Sequence, residues 1–84
     1  MDSHYYITEF FNVTKVCSNH IKVKFKNGGV RNFMFDGELS LVNAPSTRQI
    51  SNHSIIERGL YRACVRRCRN SYDVIVSLQS TISF

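Results

Sequence analysis

The chain of 84 residues is poor in several things at once, and each shortage closes a class of protein. Three cysteines are an odd count and too few for a disulfide scaffold, so a reduced, cytoplasmic setting is expected. One proline and four glycines leave no linker or low-complexity tract. No apolar run approaches the roughly 20 residues that a membrane-spanning helix needs, so no membrane partner is expected. The opening MDSHYYITEF carries an acid where a signal peptide has its basic region, which argues against secretion. Asn27-Gly28-Gly29 lacks the Lys-Ser/Thr that completes a phosphate-cradling loop. The six acids and three histidines are scattered without paired carboxylates. Binding rather than catalysis is therefore expected, with no catalytic residue and no cofactor.

What is present is a single small domain, 1–84, with enough apolar content (43%) for one core. The formal charge is +5, unevenly spread. Four acids lie at or before Glu38, whereas residues 48–69 hold six arginines against Glu57 alone. Such a balance attracts nucleic acid, anionic lipid or an acidic protein surface. The size and charge are those of small domains often encoded by phages and mobile elements.

Aromatic and β-branched residues over 4–16 predict a strand, bent midway. HIKVKFK (20–26) alternates strictly, with Ile21, Val23 and Phe25 on one face and Lys22, Lys24 and Lys26 on the other. Asn27-Gly28-Gly29 predicts a hairpin turn and VRNFMF (30–35) the returning strand. Asp36-Gly37 signals a second turn before ELSLV (38–42), and 43–54 reads as a loop with at most one helical turn. The hairpin register decides what the phenylalanines do. A two-residue turn would put Phe33 and Phe35 beside Lys22 and Lys24 as a base-stacking platform. A three-residue turn with a glycine bulge buries them with Ile21 and Val23, and this register is favoured.

ERGLYRACVRRCRN (57–70) is the most charged stretch. Ser54 and Glu57 fit a capping box, and a helix is expected from about Ile55 to Arg69. At 100° per residue, Ile56, Leu60, Ala63, Cys64 and Cys68 gather on its apolar side. Arg58, Arg62, Arg66 and Arg69 form an outward stripe, and Arg67 snorkels from near the apolar side. Guanidinium forks match phosphate oxygens. Four like charges at this spacing repel one another, which a purely structural helix would relieve with glutamates. If that helix covers the apolar face of the sheet, the lysine row lies on the opposite side of the domain.

The expected fold is α+β: a small twisted antiparallel sheet of about five strands, meander first, with one amphipathic helix before a last strand at 72–78. The expected function is a small basic regulatory module contacting nucleic acid mainly through phosphates. Its expected binding residues are Arg58, Arg62, Arg66, Arg69, Tyr61, Lys22, Lys24 and Lys26. The alternative is a protein–protein adaptor or inhibitor whose arginines dock an acidic surface, with Tyr61 as an interface residue. A weaker alternative is a zinc-stapled domain using Cys17, His20, Cys64 and Cys68, although no C-x2-C knuckle is present. The apolar tail STISF (80–84) suggests packing on a neighbouring strand or a second copy, hence a weak homodimer.

Overall fold

The computed structural model describes residues 4–43, 46–51, 53–69 and 72–81, nearly all of them in strands. These are β1 (His4–Val16), β2 (His20–Lys24), β3 (Val30–Asn43), β4 (Ser46–Ile50), β5 (Gly59–Cys68) and β6 (Val74–Ser80). A single turn of 3-10 helix, His53–Ile55, precedes β5.

β1, β2 and β3 form an antiparallel meander. β5 returns antiparallel beside β1, which completes the β5-β1-β2-β3 order of a Greek key. β6 then pairs antiparallel with β5 and parallel with β3, closing a five-stranded barrel. β4 pairs only with β3, outside the ring. β1 serves two neighbours by bending. Its residues His4–Val13 run along β5, Asn12–Val16 run along β2, and a bulge falls between Val13 and Lys15.

This overturns the α+β expectation. Among the described residues there is no α-helix, and a strand occupies most of the segment read as amphipathic helix. The reason lies in the competing period. As a strand, β5 turns Tyr61, Ala63 and Val65 inward, all buried, and Leu60, Arg62, Cys64 and Arg66 outward. Paired on both sides by β1 and β6, the segment satisfies its backbone in ladders instead of a helix. Leu60 and Cys64 are consequently not core, and Leu60 is 50% exposed. Ser54 lies in the 3-10 turn and Glu57 in the irregular link to Gly59, whose φ of +140° favours glycine there.

β3 is also one strand where two were expected, continuous through the Asp36-Gly37 turn signal. Its first part pairs with β2 and its last part with β4. Its ladder to β6 is irregular between Phe35 and Ser40, around that signal. Pro45 lies outside the described residues.

The β2–β3 hairpin has the three-residue register, one residue earlier than expected. Gly28 N donates to Phe25 O (2.9 Å), Phe25 N donates to Gly29 O (2.8 Å), and Gly28 takes φ +92°. Ile21 pairs with Phe33, which is fully buried. Phe11, Phe25 and Phe33 pack ring on ring, with centroids 5.4–6.3 Å apart. Phe35 is half-buried and stacks on His53 at 3.9 Å. Val76 is half-buried as well. At the tail, Thr81 N donates to Leu60 O, and residues 82–84 lie outside the described set. No helix among the described residues is long and apolar enough to cross a membrane.

Candidate nucleic-acid interface

The β1–β5 ladder sets the site. Outward positions of the two strands meet in rungs: Tyr6 with Arg66, Thr8 with Cys64, Phe10 with Arg62, and Asn12 with Leu60. Two aromatic rings thus stand directly across from two arginines, with a rung of small side chains between them. Phe10 is 62% exposed and Tyr6 56%, unusual for rings of that size. Tyr6 also makes an edge-on contact with His4, centroids 5.7 Å apart. The sequence pattern points to Arg62, but nothing in it singles out Phe10, its partner across the ladder.

Recesses flank the Phe10–Arg62 rung. One, of about 450 Å³, is apolar and is lined by Phe10, Asn12, Phe25 and Leu60, with Lys24 and Lys26 also on its wall. The other, of about 250 Å³, is polar and includes Thr8, Arg62, Cys64, Ser77 and Gln79. No acidic residue occupies an outward position of β1, β2 or β5.

The barrel changes where the lysines stand. Asn12 pairs with Lys24 of β2 on one side and Leu60 of β5 on the other, so the three strands are consecutive. Lys24 therefore stands beside the Asn12–Leu60 rung, next to that of Phe10 and Arg62, and Lys24 and Lys26 share a recess with Phe10 and do not lie on the opposite side of the domain. Lys22 points outward farther along β2, paired with Lys15. The opposite-sides expectation depended on a helix covering the sheet, and that helix is absent.

The remaining expected residues are dispersed. Arg58 is exposed ahead of β5 and Arg69 is exposed just after it, so the four-arginine stripe reduces to Arg62 and Arg66. Tyr61 is core: its hydroxyl donates to Glu57 O at 2.7 Å, and only the margin of its side chain reaches the apolar recess. Arg67 takes an inward position near the barrel end, where Asp73 Oδ2 accepts from it (3.3 Å) and from Arg31 (2.8 Å). The neighbouring Tyr5 phenol and then Asp73 hold the Arg67 guanidinium above its ordinary range. A third recess, of about 470 Å³, lies here beside His20, Arg31 and Tyr72, but the Asp73 carboxylate is on its wall and disfavours an anion.

The zinc set is not brought together. Cys17 and His20 face each other across the β1–β2 turn, joined by Cys17 N donating to His20 O. Cys64 pairs with Thr8, nine residues before Cys17 in the sequence and roughly 30 Å of extended chain away from it. The side chain of Cys68 lies outside the described set. Among the described residues no three His, Cys, Asp or Glu side chains cluster as metal ligands.

Burial, and then the Glu57 charge, push the Tyr61 phenol above the ordinary tyrosine value. A phenol whose folded pKa is raised is neutral in both states below about pH 10, so stability is full there and falls as pH rises through the folded value. Tyr61→Phe should remove that alkaline loss while costing about 0.5–1.5 kcal/mol at neutral pH for the lost hydrogen bond. Urea unfolding at neutral and alkaline pH checks both signs.

No protein-family model, curated protein or solved structure matches the chain.

Proposed function

We propose that the protein is a small non-enzymatic module that binds nucleic acid mainly through its phosphates. The observation that carries this reading is the placement of Arg62 and Arg66 on an acid-free outer face that continues into Lys24 and Lys26. Arg62 is solvent-exposed, and its guanidinium can present its donor fork to a phosphate from a rigid strand. Lys22 extends the basic surface along β2. Arg58 and Arg69 flank β5 at either end and add long-range attraction.

The architecture is compatible. One class of five-stranded Greek-key barrel binds oligonucleotides and oligosaccharides on the face of its second and third strands, whereas the arginines here stand on β5, beside β1. A fold alone assigns no function, so the weight rests on the side chains.

Nuclease-treated protein titrated against a labelled oligonucleotide at increasing salt tests the proposal. Log affinity should fall linearly with log salt, each phosphate contact contributing about 0.7–0.9 to the slope, with little dependence on sequence. Absence of binding at about 50 mM salt would reject it. The arginines would then be assigned to an acidic protein surface, and a pull-down with and without nuclease would return that partner.

A further inference from the structure

Phosphate attraction leaves Phe10, Tyr6 and Leu60 unexplained. They are three of the larger exposed apolar side chains of the barrel, and they lie on the face that carries the arginines. We infer that the ligand is single-stranded nucleic acid, with an unstacked base seated against Phe10 in the apolar groove between Phe10, Leu60 and Phe25. The inference rests on the nucleic-acid reading above and narrows its ligand.

The argument is chemical complementarity. A nucleobase has an apolar π-face and a polar edge, and its nucleotide carries a negative phosphate. The groove offers the counterpart of each. Phe10 and Leu60 give an apolar floor, Asn12 gives an amide at the wall, and Lys24 and Lys26 give cations at the rim. Its volume of about 450 Å³ lies in the range of small-ligand pockets. Phe10 and Leu60 are diagonal neighbours across the β1–β5 ladder, so strand pairing fixes the floor rather than a mobile loop.

A duplex cannot use this arrangement. Its base faces are stacked on one another, and its phosphates would meet the arginines while the exposed rings stayed wet. A single strand can splay its bases onto aromatic rings while its backbone follows the positive groove. The repeat of the aromatic–arginine rung supplies a second platform. Tyr6 stands four residues from Phe10, about 13 Å along the strand, with the shallow Thr8–Cys64 rung between them. Stacking is sequence-tolerant because every base has a π-face.

The test measures anisotropy with two labelled probes, an oligothymidylate and a blunt DNA duplex of the same length, for the parent, Phe10→Ala and Phe10→Tyr. The parent should prefer the single strand by at least about tenfold. Phe10→Ala should weaken single-strand binding roughly 5- to 100-fold and collapse that preference, and Phe10→Tyr, which keeps a ring, should restore both. Thermal melting establishes that each variant is folded. Equal affinity for the two probes, with Phe10→Ala no different from the parent, would overturn the inference and leave the phosphate reading standing. Failure of the parent to bind either probe would defeat both. If Phe10→Ala instead converts a dimer to a monomer by light scattering and leaves affinity unchanged, the groove is an interface between copies and the inference falls.

Discussion

Replacing Phe33 with alanine is expected to lower the unfolding free energy by about 3–5 kcal/mol. Phe33 is fully buried at the β2–β3 side of the barrel. Its ring stacks on Phe11 at 5.4 Å, meets Phe25 edge-on at 6.3 Å, and carries the Arg31 guanidinium 5.1 Å above it. Truncation removes the transfer energy of the ring, the two aromatic contacts and the cation–π contact, and leaves a cavity that a closed barrel cannot easily collapse. A chain of 84 residues has in total roughly 4–13 kcal/mol of stability. The melting temperature should accordingly drop by about 15–30 °C. Circular dichroism melts check this, with Phe10→Ala as the internal contrast, because an exposed ring should cost under about 1 kcal/mol. The measurement also tests strand register. A two-residue hairpin turn would place Phe33 outward beside Lys22, where its loss would be mild, so a melting temperature unchanged by Phe33→Ala would refute the burial and the register together.

Much of the barrel's first half is legible in the sequence for a simple reason. HIKVKFK has one polar and one apolar face, so only one alternation is possible, and the glycine at position 28 fixes the turn parity. β1 is legible as a strand, but not for which of its faces is core. Both faces carry aromatics, Tyr6 and Phe10 on one and Tyr5 and Phe11 on the other, and composition alone cannot rank them. The usable signal was the duplication itself. A strand of a barrel this small has a single buried face, so one of the adjacent rings Phe10 and Phe11 must stand at the surface, while Tyr5 and Tyr6 are both exposed.

β5 is not legible as a strand because two periods compete within its ten residues. Ala63 and the arginines favour a helix, and the apolar positions fit a helical side tolerably. Read at period two, the same residues bury Tyr61, Ala63 and Val65 with only Arg67 out of place, and Asp73 compensates that exception. One decisive partner strand, β1, lies at the other end of the sequence, where local propensity carries no information. The four-residue spacing from Arg62 to Arg66 survives the change of structure, since four residues return to the same side of a strand as well as nearly to the same side of a helix. The outward placement of these two arginines was therefore legible from the sequence even though the element was not. Arg58 and Arg69 did not benefit, because both lie beyond the ends of β5.

Substituting Arg62 and Arg66 together with glutamine is expected to reduce nucleic-acid affinity about a hundredfold near 50 mM salt while leaving the barrel core packed as before. Both side chains project outward from β5, so the barrel interior is untouched. Their contribution to binding is counterion release, which scales with the logarithm of salt concentration. Two lost phosphate contacts remove about 1.4–1.8 from the slope of log affinity against log salt. Carried from about 1 M to about 50 mM, that difference amounts to roughly two decades of affinity. The loss should shrink as salt rises, and it should be similar for probes of different sequence because phosphates carry no sequence information. Lys24→Gln should add to it, since Lys24 lines the groove beside Phe10; Lys22→Gln, farther along β2, should add less. Phe10→Ala, by contrast, should lower affinity with little change in slope, because stacking releases no counterions. The two variants thus separate the electrostatic from the stacking contribution by the shape of one titration. An arginine double variant with the parent's affinity and slope at every salt would assign Arg62 and Arg66 to a solvated strand face and remove the proposed interface.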